Sequence, residues 1–117
     1  MAKLICWNDV AKEELHPLLE RQYITTAGVT MARFLLRKGM MVSQHSHENE
    51  QVTYVTRGAL KLTFPDQQIT VHAGEVATIP PNEPHSAEAI EECEAIDVFV
   101  PHRADWEQKN DSYLRGK

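Results

Sequence analysis

The sequence predicts an all-β fold, a sandwich, jelly roll or small barrel, with short helical segments only at its two ends. Three observations lead there. Short runs rich in Val, Ile, Thr, Phe and Tyr succeed one another at the roughly 8–12-residue spacing of an all-β domain. Each run closes on Gly, Pro, Asn or Asp, the residues that turns require. Helical periodicity is confined to the termini.

Taken in order, Asn8 to Leu19 has an Asp at an N-cap position and Leu15, Leu18 and Leu19 at helical spacing. Pro17 interrupts it, so one or two helical turns are expected. Arg21 to Thr26 is a weaker strand, joined through Ala27-Gly28 to Val29 to Leu36, which ends at Arg37-Lys38-Gly39. Strands follow at Gln51 to Thr56 before Arg57-Gly58, at Ala59 to Phe64 before Pro65-Asp66, and at Gln68 to His72 before Ala73-Gly74. Glu75 to Ile79 then leads into Pro80-Pro81-Asn82, and Glu94 to Val100 into Pro101. Ala104 to Leu114 is expected as a short helix or a frayed tail. The order of the strands does not follow from this pattern.

At 117 residues the chain is expected to form one domain, 1–117. With 42% hydrophobic and 25% charged residues it has the composition of an ordinary globular protein. Twelve Lys+Arg against seventeen Asp+Glu give a net charge of −5, the wrong sign for collecting phosphate backbone or anionic lipid. Nucleic-acid and membrane partners are therefore not expected. The opening residues hold an apolar run of only Leu4 to Trp7, too short for a signal-peptide core, and no stretch approaches the ~18 apolar residues of a membrane span. A cytoplasmic location is expected, with Cys6 and Cys93 as reduced thiols.

The most informative stretch is Gly39 to Gly58 (GMMVSQHSHENEQVTYVTRG). In a strand, residues two apart project from one face, so His45 and His47 can approach one point. The same parity brings Gln51 to that face if no bulge intervenes, and turns Glu48 and Glu50 away. The nearest side chain in register is thus an amide. In Gly74 to His85 (GEVATIPPNEPH) a strand runs into a Pro-rich turn, and His85 supplies a third imidazole on a rigid approach. Three imidazole nitrogens and one amide oxygen suit one borderline divalent ion, Ni, Zn, Fe, Mn or Co. A lone His-x-His is an ordinary solvated loop feature. Here it stands beside a second spaced signature.

These residues resemble the cupin superfamily. Its first motif is Gly, five residues, His-x-His, three or four residues, Glu, six residues, Gly, and its second is Gly, five residues, Pro-x-Gly, two residues, His, three residues, Asn. Gly39, His45, His47, Gly58, Gly74, Pro80 and His85 match, whereas Gln51 replaces the Glu, Asn82 the Gly and Ala89 the final Asn. The resemblance implies a small β-barrel or jelly roll with the metal in its lumen. A narrower resemblance lies in HSHENEQVTYV from His45, in IPPNEPH from Ile79 and in DVFVPHRAD from Asp97. These segments are similar to the pectin- and alginate-degradation cupins, which linearise 4,5-unsaturated monouronates to 5-keto-4-deoxyuronates and characteristically carry Gln in place of Glu. That resemblance covers roughly Gly28 to Trp106. It implies Asp97 as the acid/base, Phe99 packed against the sugar, Arg103 gripping the carboxylate, and a homodimer.

The residues are consistent with this chemistry. Neutral ligands leave a bound ion its full 2+ charge, which favours a small anionic sugar acid. Parity in Glu94 to Val100 puts Asp97 and Phe99 on one face and leaves Ile96, Val98 and Val100 as an outward stripe that the N-terminal segment or a second subunit would cover. A buried Asp97 would hold its proton to a higher pH and could move it. The Arg103 fork matches a carboxylate. Tyr54, Gln44 and Arg57 are candidate supporting groups, while His16, His72 and His102 read as surface residues. Two other readings stay open, a different metal-dependent cupin enzyme such as an oxygenase or isomerase, and a non-catalytic cupin that binds a metal or small ligand.

Overall fold

The computed structural model describes residues 1–116 and contains ten strands in two antiparallel sheets. The strands are β1 (Glu13–His16), β2 (Leu19–Thr25), β3 (Thr30–Leu36), β4 (Met41–His45), β5 (Glu50–Arg57), β6 (Ala59–Thr63), β7 (Gln68–His72), β8 (Val76–Ile79), β9 (His85–Ala89) and β10 (Cys93–Val100). One sheet has the order β1-β2-β3-β10-β5-β8, and the other β4-β9-β6-β7. Neighbours in these sheets are mostly distant in sequence, so the chain crosses repeatedly between the two layers as in a jelly roll.

Alternation decides which side chains face inward. β3 and β10 bury every second residue, as expected of strands with one face on a core. Phe34, Leu36, Val55, Leu60, Leu62 and Ile79 fill the space between the layers, each contributing about 1.5–3 kcal/mol relative to exposure. On β10, Asp97 and Phe99 are buried while Ile96 and Val98 are only half-buried, in agreement with the sequence parity. Gly58 closes the β5–β6 turn at φ 82°, where a Cβ would lie 2.0 Å from the Glu92 carbonyl oxygen, so no side chain fits there.

One expectation fails. Asn8 to Leu19 forms no helix beyond a 3₁₀ turn at Trp7–Asp9; it forms β1 and the start of β2. Pro17 sits in the turn of this hairpin, and His16 Nδ1 accepts the Leu18 N–H at 3.0 Å. The leucines that suggested a helix face inward by strand alternation instead, with Leu15 and Leu19 both in the core. At the other end, the helix expected over Ala104 to Leu114 shrinks to α1 (Ala104–Glu107) and a 3₁₀ turn at Ser112–Leu114. No helix among the described residues is long and apolar enough to cross a membrane.

Candidate metal and ligand site

The histidines converge for a reason different from strand parity. His45 ends β4 and His85 opens β9, and the two are direct cross-strand partners in the four-stranded sheet, with ring centroids 4.3 Å apart. His47 lies beyond β4, in the segment that carries the chain to the six-stranded sheet, where Gln51 takes its place on β5. No single strand holds all three residues. Their approach is made by the crossover, which two contacts pin down. The Asn49 amide donates to the carbonyls of Pro101 and His102, and the Asn82 N–H donates to the His47 carbonyl at 2.7 Å. Asn82 has φ 65°, in the left-handed region that Asn tolerates better than most residues. Asn therefore serves where the second motif has Gly.

Hydrogen bonds at the back of each ring fix the tautomers. Nδ1 of His45, His47 and His85 lies 2.7, 3.0 and 2.8 Å from the carbonyls of Ser43, Asn49 and Glu83. A carbonyl only accepts, so each Nδ1 carries the proton and each Nε2 keeps a bare lone pair. One ligand nitrogen from each ring lies within 4.8 Å of the others. Gln51 Nε2 donates to Thr53 Oγ1 at 2.9 Å, which turns Gln51 Oε1 toward His47 Nε2 at 3.0 Å. Two lone pairs then face each other, a repulsive contact that a cation between them resolves. Burial lowers the pKa of His45 and of His47 to about 4 and also lowers that of His85, with the positive Arg103 adding to the effect. The rings stay neutral and available as ligands, and the donor set fits a borderline divalent ion.

The facing wall is built differently. Asp97 is buried, and among the described residues its Oδ1 has no hydrogen-bond partner. Burial pushes its carboxyl up to about 6, against the opposing pull of the Thr53 hydroxyl and the Arg103 guanidinium. Arg103 is only 2% exposed and lies over the rings of Phe99 and Trp106 at 4.7 and 4.5 Å. Its Nε and Nη2 donate to the two oxygens of Asp105 at 2.9 and 2.7 Å, and Nη2 also to the Tyr113 hydroxyl at 2.7 Å. The fork proposed for a substrate carboxylate is thus engaged within the protein, and Nη1 is the guanidinium nitrogen outside these bonds.

His45, His85, Gln51, Asp97, Phe99 and Arg103 line one cavity whose inner space is about 60 Å³. His47 borders instead a second cleft, with Glu48, Asn49 and Asp105. Three lining or supporting residues escaped the sequence reading: Thr53, Asn49 and Tyr113. Thr53 lies two residues from Gln51 and shares its face, so strand parity could have found it; Tyr113 stands in the C-terminal segment with no spaced motif around it. Conversely, Tyr54, Gln44 and Arg57 are exposed and give the site no support. Arg57 pairs with Glu92 and Glu94 on the surface.

With this geometry in place, the sequence matches the cupin domain family over residues 32–99, more than half of the chain. The chain belongs to the cupin family. Among solved structures, this cupin is similar to KdgF from Halomonas sp., with a TM-score of 0.82 at 22% identity over 89% of this chain and 99% of that one. It is similar to an RmlC-like cupin from Shewanella frigidimarina, with a TM-score of 0.83 at 23% identity over 91% and 96% of the two chains. It also resembles part of an oxalate decarboxylase from Bacillus subtilis, with a TM-score of 0.76 at 20% identity over 83% of this chain and 29% of that one. At these identities the likeness is one of fold. No curated protein matches the sequence.

Proposed function

We propose that this cupin opens the ring of 4,5-unsaturated monouronates in a metal-dependent isomerisation, giving linear 5-keto-4-deoxyuronates. The observation that carries the reading is the pairing of an all-neutral donor set, His45, His47, His85 and Gln51, with a separate buried carboxyl, Asp97, in the same barrel. When bound, a divalent ion supplies a full 2+ charge toward an anionic substrate, where a Glu ligand would cancel one unit. The likeness in fold to KdgF is consistent with this reading.

The reaction is a balanced proton shift. The hydroxyl on carbon 1 loses a proton as the bond from carbon 1 to the ring oxygen breaks, and carbon 4 gains one as carbon 5 becomes a ketone. Asp97, with its pKa raised to about 6, can both hold and release a proton near neutral pH. Phe99 offers an apolar wall for the sugar, and Arg103 supplies positive charge for the carboxylate. The inner space, about 60 Å³, is well below the ~150 Å³ of a cavity that takes benzene, so only part of the sugar enters it, and in this reading that part is the carboxylate end. In this reading a second copy of the chain covers the outer face of the six-stranded sheet, where Tyr54, Val76 and Val100 are 43%, 56% and 48% exposed.

The test is the ultraviolet absorbance of the conjugated enoic acid, which disappears when carbon 4 is protonated. Metal-loaded protein is expected to speed its loss over both buffer and metal-stripped protein. Equal rates in all three, across galacturonate-derived and alginate-derived substrates, would overturn the proposal in favour of a non-catalytic metal or ligand site.

A further inference from the structure

Tyr113 belongs to none of the sequence motifs, yet it lines the lumen beside the metal ligands. Its ring stacks on His45 with centroids 4.3 Å apart and planes 29° from parallel. Its hydroxyl oxygen accepts two hydrogen bonds, from Arg103 Nη2 at 2.7 Å and from Trp106 Nε1 at 3.1 Å. Guanidinium and indole N–H groups only donate. Both bonds therefore consume lone pairs of the tyrosine oxygen, and among the described residues its own proton remains unspent.

The direction of that proton is set by rigid neighbours. Trp106 is buried in an edge-on cluster with Tyr23, Phe34 and Phe99, and the guanidiniums of Arg21 and Arg103 each lie 4.5 Å from its ring. Arg103 is held in turn by both oxygens of Asp105. A hydroxyl that accepts two such bonds is polarised and becomes a stronger donor. What it can meet is a small group with acceptors only, next to one guanidinium and three neutral imidazoles that favour a cation. That description is a carboxylate.

We propose that Tyr113 contacts the ligand, presenting its hydroxyl proton to a carboxylate in the lumen, and that Arg103 acts through Tyr113 as a positioning residue. The proposal rests on the reading of the site as one for uronates and names the group that recognises their anionic end. It transfers part of the role first expected of Arg103 to a residue that the Arg103 side chain holds in place.

The experiment compares full-length, metal-loaded wild type with Tyr113→Phe by calorimetric titration of D-galacturonate and acetate, with D-galactose as the uncharged control. The phenyl ring keeps the stacking on His45 and removes only the hydroxyl. Carboxylate affinity is expected to fall ~10-fold to 100-fold, the range of a hydrogen bond to a charged group, with galactose binding and metal content unchanged. Arg103→Lys, which retains the charge but not the fork, should weaken carboxylate binding in wild type and add little in the Tyr113→Phe background, because coupled residues are non-additive. Equal carboxylate affinity in wild type and Tyr113→Phe would overturn the proposal. So would equal loss for galactose, loss of metal from the Phe variant, or a wild type that binds no carboxylate. Turnover separates the two ideas: a wild type that binds carboxylates through Tyr113 but leaves the unsaturated uronate intact overturns the reaction and keeps the residue.

Discussion

His45 and His85 stand on the four-stranded sheet, whereas Thr53, Asp97 and Phe99 stand on the six-stranded sheet that faces it. Both walls lose water to the same barrel interior, and in both the loss disfavours charge. For the histidines that means a lowered pKa and a bare nitrogen; for Asp97 it means a pKa raised to about 6, so the proton is held to a higher pH than on an exposed carboxyl. One physical cause thus leaves neutral imidazoles on one wall and a carboxyl with a raised pKa on the other, and the proposed function uses the first to hold a cation and the second to move a proton. The two differ also in how they are held. Each imidazole is oriented by a backbone carbonyl behind it, whereas Asp97 Oδ1 has no partner among the described residues. A ligand group needs fixed direction, and a proton carrier needs an unused site.

The largest effect that would break this division is on turnover. Asp97→Asn is expected to lower the rate of uronate ring opening by roughly 10²–10⁴ while metal content stays at the wild-type level. A fall in metal content would place Asp97 on the metal wall instead. An undiminished rate would leave the proton to another donor.

The next effect is on stability. In the folded, metal-free protein Asp97 keeps its proton up to about 6, while its ordinary value is 3.8. Between these values the folded state binds more protons than the unfolded chain, so Asp97 lowers stability as pH rises through that window. His45 and His47, shifted from 6.5 to about 4, act in the opposite sense over a similar range. Asp97→Asn keeps the histidines, so its difference from wild type isolates the carboxyl. That difference should move by about 2 kcal/mol in the variant's favour between pH values of about 4 and about 7, measured by urea unfolding of the metal-free proteins. A difference that does not change with pH would show that Asp97 is not desolvated.

A smaller effect sharpens the cation wall. Gln51→Glu adds a carboxylate ligand and removes one unit of charge from the centre. Metal is expected to bind at least as tightly, and turnover of an anionic substrate to slow ~10-fold. Kinetics equal to wild type would show that the neutrality of the donor set plays no part.

Much of this candidate site was legible in the sequence because the histidines that converge lie within two short segments and because β10 obeys strict alternation. The inward set Asp97 and Phe99 and the outward set Ile96 and Val98 followed from period two alone. The geometry of His45, His47 and Gln51 was not legible in the same way. Period two assumes a continuous strand, while the chain leaves one sheet at His45 and joins the other at Glu50. Similarly, the leucines around Pro17 fit helical spacing, but a hairpin buries them by pairing with β3, a long-range contact that local periodicity does not contain. Strands β4 (MVSQH) and β9 (HSAEA) are not marked in the sequence because their few apolar residues do not alternate with the polar ones over a long enough run. Tyr113 was hidden for a third reason: its place is set by Arg103 and Trp106, partners ten and seven residues away that no motif links to it.

The most direct measurement of the central claim is the metal content of the purified chain after loading and dialysis. About one divalent ion per wild-type chain is expected, with loss of that ion from His85→Ala, since removing one of three converging imidazoles leaves two nitrogens and an amide. Wild-type protein that retains no ion, or a His85→Ala variant that retains it at the wild-type level, would show that these histidines do not form a metal centre.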